Sequence, residues 1–217
     1  MAPAVAGVAR RAHRVFGIRL VRVQKRVAVR RGCHSGGLVN SVLQQEPPPR
    51  KDYWGAGIQV NVRDAILNRR SVRKWVKRPL TNKELEALKE AVRWAPSAHN
   101  EESRFFYFVT SEKKIAELCA ATGRQFKPDM GLVIVACSSN ADYGVMDVSA
   151  SVENALLQAV ELGLGAVWVG AFNAKKVRAA LGIPSNLTPE ALVPVGEPAE
   201  KPEPTKRKPE KETVKIV

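Results

Sequence analysis

Apolar residues recur at helical spacing in five segments after residue 59. One begins at Thr81 and Glu84, which have the spacing of a capping box, and ends at Pro96, because proline interrupts helical hydrogen bonding. Another is expected to be capped by Asp147 and to end near Gly163. The other three run from Val62 to Asn68, Glu112 to Ala121 and Asn173 to Leu181. The predicted core positions of the two long helices are Leu85, Leu88, Val92 and Ala95, and Val152, Leu156, Ala159 and Val160.

Four short runs of β-branched, aromatic and other apolar residues predict strands. They are Phe105 to Thr110, Leu132 to Cys137, Ala166 to Gly170 and Ala191 to Gly196. Strands and helices are interspersed without a regular strand-helix-strand spacing. This order favours an α+β fold in which helices cover a mixed sheet.

Positive charge is concentrated at the N-terminus. The chain of 217 residues has a net charge of +14, but residues 1–45 hold nine cations and no acid, which leaves +5 for residues 46–217. Glu46 is followed by three prolines, which indicate an extended linker. We therefore predict a basic, disordered extension with a Pro-rich linker at 1–58 and a folded domain at 59–217. An apolar content of 45% suffices for a core and excludes collagen-like and wholly disordered classes.

The extension allows three interpretations. The favoured one is a segment without function or from a mispredicted start site, and the others are an Arg-rich transit peptide and a basic arm that binds nucleic acid. The sequence lacks the interleaved aromatic residues that stack on bases, so nucleic-acid binding is the least favoured. We expect residues 1–50 to be dispensable for folding. No run reaches the ~18 apolar residues of a membrane span, so a soluble, cytoplasmic protein is expected, with organelle targeting left open.

The three cysteines, Cys33, Cys119 and Cys137, are far apart and form no Cys-x-x-Cys pair. This spacing argues against a disulfide scaffold or a structural zinc site, and no metal ligand is predicted. Cys119 lies in a predicted helix and Cys137 at the end of a predicted strand. Both are interpreted as small buried hydrophobic residues rather than reactive thiols.

Three motifs contain candidate chemistry. The segment from Asn68 to Trp75 places four cations and the Ser71 hydroxyl at the end of a short helix. Such a group suits a phosphate, but on charge alone a solvated basic helix end is the favoured interpretation. The segment from Trp94 to Asn100 is a loop of small and polar residues that can expose backbone groups to a flat ligand. Gly163 to Gly170 is glycine-rich but follows a helix and precedes a strand, which is the wrong order for a dinucleotide fingerprint.

Taken in order, the motifs resemble those of the nitroreductase family of FMN-dependent oxidoreductases over roughly residues 60–217. The segments that carry the resemblance are Arg69-Arg-Ser-Val-Arg73, Ala95-Pro-Ser-Ala-His-Asn100, Glu153-Asn154-Ala-Leu-Leu-Gln158, Gly163-Leu-Gly-Ala-Val-Trp-Val-Gly170, Leu192-Val-Pro-Val-Gly196 and Lys206-Arg207-Lys208. The resemblance implies an α+β flavoprotein with a mixed, mainly antiparallel sheet. It also implies a homodimer with exchanged arms and two FMN sites at the subunit interface.

The resemblance assigns site residues position by position. It implies that the FMN phosphate and ribityl chain contact Arg69, Arg70, Ser71 and Arg73, with a C-terminal contribution from Lys206 and Arg207. It implies that a loop from the partner subunit reaches the flavin through Pro96, Ser97, Ala98 and Asn100. It implies that the ring system faces Val169, Gly170 and Ala171. Members commonly follow the loop Asn with x-Gln-Pro-Trp, whereas this chain has Glu101-Glu102-Ser103-Arg104.

The implied reaction takes electrons from NADH or NADPH and passes them to a small acceptor, such as a nitroaromatic or a quinone, by a ping-pong mechanism. Such chemistry belongs to the cofactor, so no catalytic side chain is predicted. His99 is either a proton donor near the flavin or a solvent-facing loop residue. Two alternatives remain open: a non-catalytic flavin-binding protein, with its cleft closed by a Glu102–Arg104 ion pair, and a basic protein that binds nucleic acid.

Overall fold

The computed structural model describes residues 60–123, 125–139 and 142–217. The N-terminal extension, its proposed boundary and Cys33 lie outside the described residues. The helices are α1 (Val62–Asn68), α2 (Asn82–Arg93), α3 (Glu112–Ala121), α4 (Gly144–Glu161) and α5 (Ala174–Leu181). The strands are β1 (Trp75–Val76), β2 (Arg104–Val109), β3 (Leu132–Ser139), β4 (Gly165–Ala166) and β5 (Leu187–Pro198). Short 3₁₀ turns cover Ala98–Asn100 and Glu210–Glu212.

The strands form one sheet in the order β1-β5-β3-β2, and β4 also pairs with β5. Its ladders between described strands are antiparallel, and an isolated parallel bridge joins Ser71 to Ala166. Alternate residues of β3 enter two apolar cores, one packed with α3 and α5 and the other with α2 and α4. The predicted α+β class with helices on the sheet is therefore confirmed.

Helix α2 begins as the sequence predicts. The hydroxyl of Thr81 accepts from the backbone N–H of Glu84, and the Glu84 carboxylate accepts from the backbone N–H of Thr81. The same carboxylate takes two hydrogen bonds from the guanidinium of Arg78, whose Nε also donates to Glu197 in β5 at 2.5 Å. This arrangement ties the start of α2 to the edge of the sheet. Leu88, Val92 and Ala95 are buried as expected, and Leu85 is half-buried.

The Arg78–Glu84 pair predicts acid sensitivity. The guanidinium of Arg78 holds the pKa of Glu84 below its ordinary value of 4.5. The stabilisation is therefore fully present above pH 4.5 and is lost as the pH falls through the lowered folded-state pKa. A Glu84→Gln variant should show a flatter decline of melting temperature in acid than the wild type. Glu86→Gln, which removes an exposed carboxylate from the same helix, should keep the wild-type slope, and equal slopes for Glu84→Gln and wild type would contradict the assignment.

The expectation that Asp147 caps α4 is wrong. The helix begins at Gly144, and Asp147 lies within its first turn, with only 3% of its surface exposed. Its carboxylate accepts instead from the backbone N–H groups of Ala98 and Ser103, in a loop distant in sequence. The predicted end of this helix is confirmed, because Gly163 has φ +71° and follows the last turn.

The predicted strand from Ala166 to Gly170 is shorter in the structure. Only Gly165–Ala166 forms β4, and Val169 rejoins β5 through an isolated bridge to Leu192. Val167 donates to the carbonyl of Pro194, but proline has no N–H to return the bond, so the ladder is interrupted there. The C-terminal residues 213–217 lie outside the described strands of this chain and are exposed.

Cys119 and Cys137 are buried, as the sequence predicts. Burial raises the pKa of Cys119 to about 11 and that of Cys137 to about 12. Both thiols are therefore protonated at neutral pH and lack the thiolate character of a nucleophile. Among the helices of the described residues, none combines the length and hydropathy needed to cross a bilayer.

Candidate functional site

The arginine motif follows α1 and is docked against β4. Arg69 ends the helix, and three residues later the backbone N–H of Val72 donates to the carbonyl of Ala166 at 3.0 Å. The indole N–H of Trp75 donates to the carbonyl of Gly165 at 2.9 Å. A Cβ at Gly165 would lie 2.7 Å from a methyl group of Val72, so only glycine permits this approach. The docking fixes the motif beside the glycine-rich strand.

The arginines of the motif have different environments. Arg70 donates to the carbonyls of Leu67 and Arg69, both at 2.8 Å, as a cation that complements a helix C-terminus does. Arg73 is exposed, and its guanidinium donates to the carbonyl of Ser71 at 3.3 Å. Arg69 and Ser71 are half-buried. The helix-end interpretation therefore describes Arg70, whereas Arg73 extends along the surface of a cavity.

That cavity has a volume of about 700 Å³. Ser71, Arg73 and Lys74 line one side, and Gln125 and Lys127 line another. The Gln125 amide donates to the carbonyl of Ala171 at 3.3 Å, which links the cavity wall to the glycine-rich strand end. Gln125 and Lys127 were missed by sequence reasoning, because they lie in an irregular connection between α3 and β3 that carries no motif.

The strand end at Val169 to Ala171 is open to solvent on one side. Val169 is buried and exchanges two backbone hydrogen bonds with Leu192, at 2.9 and 3.0 Å. Gly170 and Ala171, which follow, are exposed. A Cβ built at Gly170 would meet no atom within 4 Å. The backbone is thus held rigidly up to Val169 and then faces free space, where a ring can approach.

The loop from Pro96 to Asn100 lies elsewhere in the fold. Its backbone is anchored by Asp147 at the start of α4, and the backbone N–H of Glu102 donates to the hydroxyl of Ser97 at 3.1 Å. His99 is exposed and contacts the ring of Tyr143 edge-on, with centroids 5.8 Å apart.

Arg104 does not form the ion pair with Glu102 that the sequence analysis considered. Its guanidinium instead donates to the carbonyls of Arg93, Ala95 and Pro96. A cleft closed by a Glu102–Arg104 pair is therefore not what the structure shows.

The predicted site residues fall into two groups in one chain. Ser71 and Arg73 of the arginine motif line the cavity, whereas Arg69 and Arg70 are not among its lining residues. The strand end at Val169 to Ala171 adjoins it, because Gln125 of the cavity wall donates to the carbonyl of Ala171. Both lie near the C-terminal end of α4. The Pro96 loop is bound by Asp147 near the start of α4, whereas the arginine motif lies near the end of this helix. From Asp147 to Glu161 the helix rises by 14 residues at 1.5 Å each, which separates the two groups by about 20 Å. Lys206 and Arg207 are exposed on the extended segment that follows Glu200 and Pro202 of the cavity wall.

Proteins named as nitroreductases match this chain in sequence and in fold. The family model described as "Putative TM nitroreductase" matches residues 61–217. A relative from Archaeoglobus fulgidus, named a putative NADH dehydrogenase/NAD(P)H nitroreductase, is 34% identical over 144 residues, which cover 61% of this chain and 83% of the relative. A solved structure of a protein with the same name from Parabacteroides distasonis is 28% identical, with a TM-score of 0.66 over 72% of this chain and 98% of that one. An FMN-dependent nitroreductase from Clostridium difficile shares the fold, with a TM-score of 0.65 at 23% identity over 70% of this chain and 96% of that one.

The matched family model and the named relatives identify this α+β chain as an oxidoreductase of the nitroreductase type. The chain belongs to the nitroreductase family, and the resemblance recognised in its sequence is confirmed.

Proposed function

We propose that this oxidoreductase binds FMN and transfers electrons from NADH or NADPH to a small acceptor, such as a nitroaromatic or a quinone. The observation that carries the proposal is the cavity that lies between the arginine motif and the residues bonded to the glycine strand end. One wall offers cations and a hydroxyl at Ser71, Arg73 and Lys74, and another is bonded through Gln125 to the strand end beside Gly170. A cofactor with a phosphate at one end and a flat ring at the other suits both walls. The nitroreductase from Clostridium difficile that shares the fold is described as FMN-dependent.

The donor set fits the chemistry of FMN. Guanidinium groups form paired hydrogen bonds with phosphate oxygens, so Arg69 and Arg73 would hold the phosphate together with the Ser71 hydroxyl. Lys206 and Arg207 would add positive charge from the C-terminal segment. The exposed backbone at Gly170 and Ala171 would orient the ring system against the end of the sheet. Bound FMN would supply the hydride and electron transfer, so the chain contributes binding and orientation.

The same reasoning supports a ping-pong order. The backbone at Gly170 is open, since a Cβ built there would meet no atom within 4 Å, and we propose that the nicotinamide and the acceptor occupy this surface in turn. Steady-state rates measured with NADH or NADPH and a quinone at several concentrations of each should give parallel double-reciprocal lines. Intersecting lines would contradict the ping-pong order, and no turnover with any nitroaromatic or quinone would contradict the substrate class.

We further propose that the active unit is a homodimer. The Pro96 loop lies about 20 Å from the arginine motif along α4, so a second chain is needed to bring Ser97, Ala98 and Asn100 to the same flavin. Large apolar side chains are exposed on α1, directly after α2 and at the start of α4. They are Val62 (72%), Ile66 (56%), Trp94 (78%), Val145 (55%) and Met146 (69%). Exposed apolar side chains of this size suit burial against a partner subunit.

Exchange of C-terminal arms would add a second set of contacts between the two subunits. Strand β2 pairs with β3 on one side and ends the described sheet on the other, so its second edge can accept another strand. An apolar groove of about 390 Å³, lined by Val92, Phe106 and Phe108 among others, runs beside this edge. The exposed Val214 and Ile216 are two residues apart and would point to the same side of an added strand. We propose that they fill the groove of the partner.

A further inference from the structure

The loop from Pro96 to Ser103 adopts a conformation that its sequence does not favour. His99, Asn100 and Glu102 have φ values of 54°, 58° and 51°, in the left-handed region that residues other than glycine rarely adopt. Three such residues within four positions are costly unless the surroundings impose them. The contacts at the two ends of the loop identify what imposes them here.

Asp147 joins the two ends of the loop. One carboxylate oxygen accepts from the backbone N–H of Ala98 at 2.9 Å, and the other accepts from the backbone N–H of Ser103 at 3.3 Å. The side chain is buried in the first turn of α4, which is packed in the core and cannot follow the loop if it moves. The carboxylate therefore fixes the separation of the two ends from a rigid element.

Arg104 holds the entry to the loop. Its two terminal nitrogens donate to the carbonyl of Pro96 at 2.8 Å, to that of Ala95 at 2.6 Å and to that of Arg93 at 3.3 Å. These carbonyls belong to the last residue of α2 and to residues just after it, where backbone acceptors have no helical partner. The planar guanidinium is suited to such a cluster, because its donors diverge in fixed directions. It attaches the end of α2 to the first residue of β2.

We infer that Asp147 and Arg104 are positioning residues, which hold the Pro96 to Ser103 loop ready to contact a flavin before the flavin binds. The inference rests on the proposed function, since that proposal places the loop at the flavin of a second chain. With both anchors present, the loop is already ordered when FMN binds, so binding carries no entropic cost of ordering it. Without either anchor, the left-handed residues relax, and the loop must be ordered when FMN binds.

The test uses the full chain with Arg104→Met and Asp147→Asn. Amide hydrogen exchange of residues 96–103 is measured in the flavin-free protein, and FMN affinity is measured by fluorescence titration. Exchange in the loop should become faster by about tenfold or more in both variants, with unchanged exchange in α3, and FMN affinity should fall. Arg104→Lys should restore part of both properties. Lys83→Met is the control, because it removes an exposed cation from the start of α2, at the opposite end of that helix from the loop.

The outcomes separate this inference from the proposed function. Wild-type exchange rates in both variants would overturn the anchoring. Faster exchange with unchanged FMN affinity, in a protein whose Arg73→Ala variant loses FMN, would place the loop outside the flavin site and overturn this inference alone. A wild-type chain that binds no FMN would overturn both.

Discussion

Replacing Arg73 by alanine is expected to weaken FMN binding by about tenfold to a hundredfold, because a charge-assisted hydrogen bond to a phosphate contributes about 1.5–3 kcal/mol. Arg73 is exposed at the cavity wall, and its position is fixed by a hydrogen bond from its backbone N–H to Glu200 at 2.7 Å. The side chain can therefore be removed without disturbing the backbone. Arg69→Ala should have an effect of similar size. Dissociation constants from fluorescence titration of the flavin-free protein measure both.

Arg63→Ala is the matched control for this prediction. Arg63 is an exposed arginine near the start of α1, outside the Arg69 to Arg73 motif that follows the helix. Its removal lowers the net charge of the domain by the same amount, so a general electrostatic effect would appear in all three variants. Retention of FMN by both Arg69→Ala and Arg73→Ala after extensive dialysis would defeat the phosphate assignment.

Deleting residues 210–217 is expected to weaken dimerisation and flavin retention together. The segment includes Val214, Ile216 and Val217, which are 58%, 92% and 106% exposed in the single chain. If they are buried against β2 of a partner, their loss removes apolar contacts and exposes the strand edge. Light scattering at a series of concentrations, with flavin absorbance recorded on the same samples, measures both properties.

A point substitution distinguishes the effect of the arm's apolar contacts on dimerisation from the effect of its length. Ile216→Asp should reproduce most of the deletion, whereas Lys211→Asp, which changes charge in the same segment outside the apolar run, should not. A monomer that still holds stoichiometric FMN would overturn the two-chain site. A deleted chain that remains a dimer would show instead that the apolar surface on α1 and α4 suffices for assembly.

Local signals in the sequence predicted the regular elements well. The capping box at Thr81 and Glu84 marked the start of α2, and Asn173, the first residue of a predicted helical segment, is the N-cap of α5. Both signals work because the capping side chain satisfies backbone groups within three residues of itself. The ends of α1 and α3 also agree with the predicted segments.

Long-range partners decided the positions where prediction failed. Asp147 has the side chain of a cap, but its carboxylate binds N–H groups more than forty residues away in sequence. The strand after Gly165 is short because Pro194, on a neighbouring strand, has no N–H to offer. Neither effect can be recognised before the sheet register is known.

The residues of the candidate site also divide into those that local sequence signals identify and those that only long-range contacts bring into place. The motif at Arg69 to Arg73 and the strand end at Gly170 could be chosen from sequence, because their residue types suit a phosphate and a close backbone approach. Gln125 and Lys127 could not, since only the folding of the α3 to β3 connection brings them to the cavity. The different environments of Arg70 and Arg73 likewise depend on where the helix ends.

The central claim is that this chain holds a flavin which nicotinamide reduces. Purified protein reconstituted with FMN should therefore lose its oxidised flavin absorbance on anaerobic addition of NADH or NADPH, and should regain it when a quinone is added. Bound flavin that stays oxidised with both nicotinamides would contradict the account and would favour a non-catalytic flavin-binding protein.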